Sequence, residues 1–226
     1  MLVEEIVQRE VKVPVDNVEL DGELILPPGA SGVVLFAHGS GSSRHSPRNR
    51  FVAGVIRRSG LGTLLFDLLT PEEESVDAYT RHLRFDIELL ARRLVAAAKW
   101  LETRRETRDL KIGFFGASTG GAAALVAAAE LGGAVGAVVS RGGRPDLAGA
   151  ALPRVRSPVL LIIGGLDSEV IKLNQQAYEL LRCEKEMKVV PGATHLFEEP
   201  GTLETVADLA AEWFRDHLKM REFERR

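Results

Sequence analysis

The chain has 226 residues, 45% hydrophobic and 27% charged, with a formal net charge of −3. That length and balance suit one globular α/β domain over residues 1–226 with a sizeable core. Near-neutral charge argues against nucleic acid as the main partner, and no apolar run approaches the roughly 18 residues of a membrane span.

In chain order, the first residues, Met1-Leu-Val-Glu-Glu, are acidic where a signal peptide would be basic and then apolar. Cys183 is the single cysteine, so no internal disulfide can form and a reducing compartment fits. A cytoplasmic location is therefore expected. Residues 6–15 and 18–26 are rich in Val, Ile and Leu and partly alternate with polar residues, which predicts an antiparallel pair. Asp16-Asn17 breaks them, and Asp21-Gly22 offers a second turn or bulge. After Pro27-Pro28-Gly29, Val33 to Ala37 reads as a short buried strand.

That strand runs into His38-Gly39-Ser40-Gly41-Ser42-Ser43. Such a loop can aim backbone N–H groups at a ligand. His38 reads as a brace for the loop, with a substrate contact as the alternative. Arg44, His45, Arg48 and Arg50 follow, around Pro47 near a helix start. They are either a solvated helix end or a cationic mouth for an anionic substrate.

Residues 50–59 predict a helix, and Thr63 to Phe66 a strand that ends at Asp67. Residues 70–79, with Glu72-Glu73-Glu74, read as a polar loop or helical turn. A long helix is expected over about 81–105, because Ile87, Leu90, Leu94, Ala98 and Leu101 recur at three- and four-residue steps. Its Arg92, Arg93, Lys99 and Glu102 are read as a solvated face.

The next stretch carries the chemistry. Ile112 to Phe115 reads as a buried strand, then comes Gly116-Ala117-Ser118-Thr119-Gly120, then a helix to Glu130. A G-x-S-x-G at a strand–turn–helix junction presents its serine above the sheet, beside a helix N-terminus that favours developing negative charge. A small-residue turn of this kind can also cradle a phosphate. Val135 to Val139 is another strand, ending at Ser140-Arg141. Arg141 then lies where α/β sheets bind ligands. It is read either as a salt bridge to Asp146 or another loop carboxylate, or as a clamp for a substrate carboxylate. Val159 to Gly164 is a strand ending at Asp167, and residues 170–182 a helix. Met187 to Val190 is the last strand, followed by the loop Pro191-Gly192-Ala193-Thr194-His195-Leu196-Phe197. Residues 202–218 form a closing helix, with His217 near its apolar face.

Ser118, Asp167 and His195 thus follow three separate strands, in the order Ser, Asp, His. That is the order of an α/β-hydrolase triad: nucleophile, orienting acid, general base. Asp67, Glu198 and Glu199 are alternative acids. The oxyanion donors would be the backbone N–H of Gly39 or Ser40 and that of Thr119.

On the histidine–glycine–serine loop, the Gly116 to Gly120 elbow, Leu161-Ile-Ile-Gly-Gly-Leu-Asp167 and Gly192-Ala193-Thr194-His195, the chain resembles the dienelactone-hydrolase-like branch of the α/β-hydrolases. The resemblance covers residue 18 to the C-terminal helix. It implies a mostly parallel eight-stranded sheet with helices on both faces, and no metal or organic cofactor. Dienelactone hydrolase itself has a cysteine nucleophile, so Ser118 favours a serine esterase. Only 18 residues, 141–158, separate the strand ending at Ser140 from the next, too few for an inserted lid domain.

The expected activity is therefore that of a serine carboxylesterase on small esters or lactones, with Arg141, Arg44 and His38 as substrate-contact candidates. An acyltransferase, thioesterase or peptidase on the same triad is the alternative, as is a binding protein that retains the fold. The expected partner is a small-molecule substrate, without nucleic acid or membrane, and a homodimer is left open.

Overall fold

The computed structural model describes residues 6–219. The acidic segment 1–5, read above as unlike a signal peptide, lies outside them. The chain opens with β1 (Val7–Val15) and β2 (Val18–Leu26), paired antiparallel around the Asp16-Asn17 turn. The bulge expected at Asp21-Gly22 does not form: the register runs unbroken from Lys12↔Asp21 to Val11↔Gly22. Gly22 serves close packing instead, since a Cβ there would stand 3.0 Å from that of Phe66 on the neighbouring strand.

Six more strands follow: β3 (Gly32–Ala37), β4 (Gly62–Phe66), β5 (Lys111–Ala117), β6 (Val135–Arg141), β7 (Val159–Gly164) and β8 (Lys185–Val190). They complete one eight-stranded sheet in the order β1-β2-β4-β3-β5-β6-β7-β8. β2 meets β4 antiparallel, and every pairing from β4 to β8 is parallel. β3 and β7 are buried along their whole length. That is why they read as unbroken apolar runs rather than alternating ones.

The helices are α1 (Pro47–Arg58), α2 (Pro71–Thr80), α3 (Ile87–Thr103), α4 (Thr119–Leu131), α5 (Ser168–Leu180) and α6 (Thr202–His217). α1 and α6 cover one face of the sheet, where Val52, Ile56 and Phe214 pack against Phe36 and Phe115. α3, α4 and α5 cover the other, where Leu94, Leu101 and Leu125 meet Phe114 and Leu161. Between β6 and β7 the chain makes only short 3₁₀ turns over Pro145–Arg154, so no lid domain is inserted there.

Three local expectations are corrected. Residues 70–79, read as a loop or helical turn, form a full helix: Thr70 and Glu73 make a reciprocal capping box, with Pro71 in the first turn, and α2 follows. The long helix begins at Ile87, not near 81. Arg81 closes α2 in a left-handed conformation, and Asp86 starts α3 by accepting the Leu89 N–H at 2.9 Å. Arg93 is not on a solvated face. It is 3% exposed, and its guanidinium makes two hydrogen bonds to the Glu73 carboxylate, at 2.7 and 2.5 Å, and a further one to the Leu68 carbonyl. A buried guanidinium needs such a partner, so this pair staples α2 onto α3.

Candidate active site

The turn from β5 into α4 is a single residue, Ser118, between Ala117 and Thr119. Ser118 sits at φ 51°, ψ −122°, a region that only a constrained site holds for a residue with a side chain. The flanking glycines are required. A Cβ on Gly116 would lie 2.4 Å from the Gly120 carbonyl oxygen, and one on Gly120 would lie 2.1 Å from that of Ala37. With both absent, α4 closes onto β3 and β5, and Ser118 stands at the N-terminus of a 13-residue helix.

Asp167 occupies the cap position of α5 yet makes no side-chain cap bond. Its Oδ2 instead accepts a hydrogen bond from His195 Nδ1 at 2.6 Å. A carboxylate can only accept, so Nδ1 carries the proton and Nε2 of the neutral ring is left as an acceptor. The rival acids are engaged elsewhere. Asp67 takes the Arg44 backbone N–H at 2.7 Å and pairs with its guanidinium. Glu198 pairs with Arg48 at 3.0 Å, and Glu199 accepts the Thr194 N–H at 3.0 Å.

The loop bearing His195 is pinned by Phe197, 1% exposed at a positive φ of 56°. Ser118 and His195 both neighbour the backbone of Arg141-Gly142. The Ser118 N–H donates to the Arg141 carbonyl at 3.3 Å, and a Cβ on Gly142 would lie 3.6 Å from His195 Cε1. Among the described residues, His195 makes its side-chain hydrogen bond to Asp167 alone, with none to Ser118 Oγ. Such contacts commonly tighten only when substrate is bound.

The loop after β3 lies over the nucleophile: a Cβ on Gly39 would be 3.1 Å from Cβ of Ser118. The backbone N–H groups of Gly39, Ser40 and Thr119 donate to no described residue. His38 holds the loop from beneath. Its Nε2 accepts the Leu68 N–H at 2.9 Å, so Nδ1 carries the proton and donates to the Gly39 carbonyl at 3.0 Å. Burial holds its pKa below the ordinary histidine value and keeps the ring neutral. Both ring nitrogens are used within the protein, so His38 braces the loop, and the residue also lines the cavity described below. Arg44 leaves the list of free cations too, since its charge faces Asp67.

Arg141 behaves differently. The salt bridge expected with Asp146 is made by Arg144, at 2.9 and 2.7 Å. Arg141 is 7% exposed, with its guanidinium carbon 6.0 Å from the Phe197 ring centroid. Its Nε and Nη1 are buried without a hydrogen-bond partner. Burial, and Arg48 nearby, push its pKa down to about 10, still well above neutrality. A cavity of about 610 Å³ opens from the loop and the elbow toward α2, lined by Gly39, Ser40, Thr119, Arg48, Glu74 and Asp77 among others. Its lining includes Gly39, which packs on Ser118, and Thr119, the next residue in the chain, while Ser118, His195 and Arg141 are not among its walls.

The α2 wall was missed in the sequence, although its Thr-Pro-Glu-Glu start was a usable signal. The Ser40–Thr119 hydroxyl contact, at 3.1 Å, was missed as well, and nothing local marks a pair 79 residues apart.

Residues 55–220 match the Dienelactone hydrolase family. The fold superposes on a crystal structure of dienelactone hydrolase from Anabaena variabilis with TM-score 0.94 and 59% identity, covering 96% of this chain and 100% of that one. A Xanthomonas campestris α/β serine hydrolase without a lid aligns with TM-score 0.73 at 20% identity, over 93% and 95% of the two chains, which is a likeness of fold. A provisionally named phosphoribosyl transferase of Mycobacterium tuberculosis is 58% identical over 209 residues, 92% of this chain and 46% of the relative. The chain thus spans about half the length of the curated relatives it matches.

Proposed function

The chain belongs to the dienelactone hydrolase family, and on that premise we propose that it is a serine hydrolase of small esters or lactones, working through Ser118, His195 and Asp167. The observation that carries this reading is the 2.6 Å His195–Asp167 hydrogen bond beside a serine on a strained elbow. With Nδ1–H held by Asp167, His195 Nε2 takes the Ser118 proton as Oγ attacks the acyl carbon. Negative charge then develops on the carbonyl oxygen, where the free N–H groups of Gly39, Ser40 and Thr119 can receive it. The leaving alkoxide takes the proton back from His195. Water repeats the sequence on the acyl-enzyme and releases the acid and Ser118. The phosphoribosyl transferase name belongs to proteins more than half of whose length lies outside the match.

Short acyl groups are the expected substrates. The cavity is half polar in character, with Ser40, Ser42, Glu74 and Asp77 among its walls. An added CH₂ contributes about 0.8 kcal/mol only where it is buried against apolar surface. A panel of p-nitrophenyl esters run beside Ser118→Ala should give kcat/KM that levels off or falls beyond octanoate. A kcat/KM that keeps rising with chain length contradicts the substrate class, and activity undiminished in Ser118→Ala contradicts the enzyme class.

Arg141 is proposed to bind a carboxylate on the substrate, since Arg48 nearby is already paired with Glu198. A guanidinium this buried, facing another cation and with two idle nitrogens, is costly unless an anion completes it. A charge-assisted contact there contributes about 1.5–3 kcal/mol. Arg141→Gln should raise KM for a carboxylate-bearing ester and leave a neutral analogue little changed. Equal losses for both substrates would return Arg141 to a structural role.

A further inference from the structure

Two of the residues with free N–H groups, Ser40 and Thr119, also carry hydroxyls, and these pose a proton count. Ser40 Oγ and Thr119 Oγ1 lie 3.1 Å apart and join the loop after β3 to the first residue of α4. Each hydroxyl carries one proton and can accept. One proton spans the pair. The second has no acceptor, because neither oxygen bonds any other described residue. Both residues line the cavity, and Gly39, the neighbour of Ser40, packs against Ser118, so the spare O–H opens on the cavity at the elbow.

The direction of the chain follows from burial and stiffness. Thr119 is 3% exposed, and its β-branched side chain has few rotamers open to it in a helix. Ser40 is only part-buried, on a loop, with a freely turning hydroxyl. We infer that Thr119 donates to Ser40 Oγ, and that the Ser40 hydroxyl donates its own proton to the oxyanion, as a side-chain donor beside the backbone N–H groups. An accepted hydrogen bond polarises a hydroxyl and strengthens the bond it gives. Ser40 is then a catalytic residue and Thr119 a positioning one. The hydroxyl can follow the oxygen as the carbonyl becomes tetrahedral, so its contribution falls on the transition state rather than on substrate binding.

This inference rests on the hydrolase reading above, and the experiment separates the two. Wild type, Ser40→Ala, Thr119→Val and Thr119→Ser are assayed on a short p-nitrophenyl ester, with Ser118→Ala as the control. Affinity for a boronic acid, which forms a tetrahedral anion on serine, is measured for each, along with Tm. Loss of a single oxyanion donor costs on the order of 10²-fold in kcat. Ser40→Ala should lose about that much in kcat and in boronate affinity together, with KM and Tm unchanged. Thr119→Val should lose about tenfold in both, and Thr119→Ser should recover it. If Ser118→Ala is inactive while Ser40→Ala keeps kcat within about threefold, the donor role is wrong and the hydrolase reading stands. A Ser40→Ala loss that appears in KM or Tm and leaves boronate affinity intact overturns it equally. Full activity of Ser118→Ala removes the reading on which both depend.

Discussion

Replacement of Ser118 by alanine is expected to lower kcat by on the order of 10⁶, and His195→Ala alone should cost about as much. The double variant should lose little more, because the nucleophile without its base, or the base without its nucleophile, leaves the same residual reaction. Folding should survive. Ser118 holds φ 51° because Gly116 and Gly120 let the helix close on β3 and β5, and alanine meets the same constraint with a smaller side chain. His195 is 39% exposed at its side chain, so its truncation opens no core cavity. The check is steady-state kinetics on one ester, with thermal melts to show that the variants remain native. A loss below about 100-fold in either single variant would separate that residue from the chemistry.

Asp167→Asn is the second large effect, with kcat expected to fall by roughly 10⁴ and Tm to change little. The amide of asparagine can donate to Nδ1, which moves the ring proton to Nε2 and removes the acceptor that Ser118 needs. In barrier terms this is about 5.4 kcal/mol, at 1.36 kcal/mol for each factor of ten. The helix that Asp167 begins should be indifferent, since its side chain makes no cap bond and its backbone bonds to Gly164 and Ile171 are kept. Asp67→Asn is the matched control. It loosens the contacts with Arg44 in the loop after β3, and a modest activity loss is expected. A 10⁴-fold loss in Asp67→Asn with a near-active Asp167→Asn would reverse the assignment of the acid.

Much of this arrangement was legible in the sequence because it is local. Strands buried along their length must be apolar throughout, so β3 and β7 announced themselves, and the residues just past their ends were visible as a set. The elbow was legible because its backbone leaves room only for glycine at Gly116 and Gly120. What failed was tertiary. Arg93 lies on a helix between Leu90 and Leu94, and its burial depends on Glu73, twenty residues upstream in a segment read as a loop or helical turn. That segment hid its helix because Val76 and Tyr79 are exposed, so α2 has no apolar stripe to read, although Thr70-Pro71-Glu72-Glu73 marks its start. Arg44 and Arg141 looked alike as cations near one edge. Only the three-dimensional partners separate them: Arg44 faces Asp67, and Arg141 faces no carboxylate.

The measurement that bears most directly on Ser118 as the nucleophile is its labelling by a fluorophosphonate. The probe is incubated with wild type and with Ser118→Ala, and the adduct is located by peptide mass spectrometry. One adduct on Ser118 in the wild type, absent from the variant and slowed in His195→Ala, is the result expected. Labelling that persists undiminished in Ser118→Ala would place the nucleophile elsewhere and contradict the account.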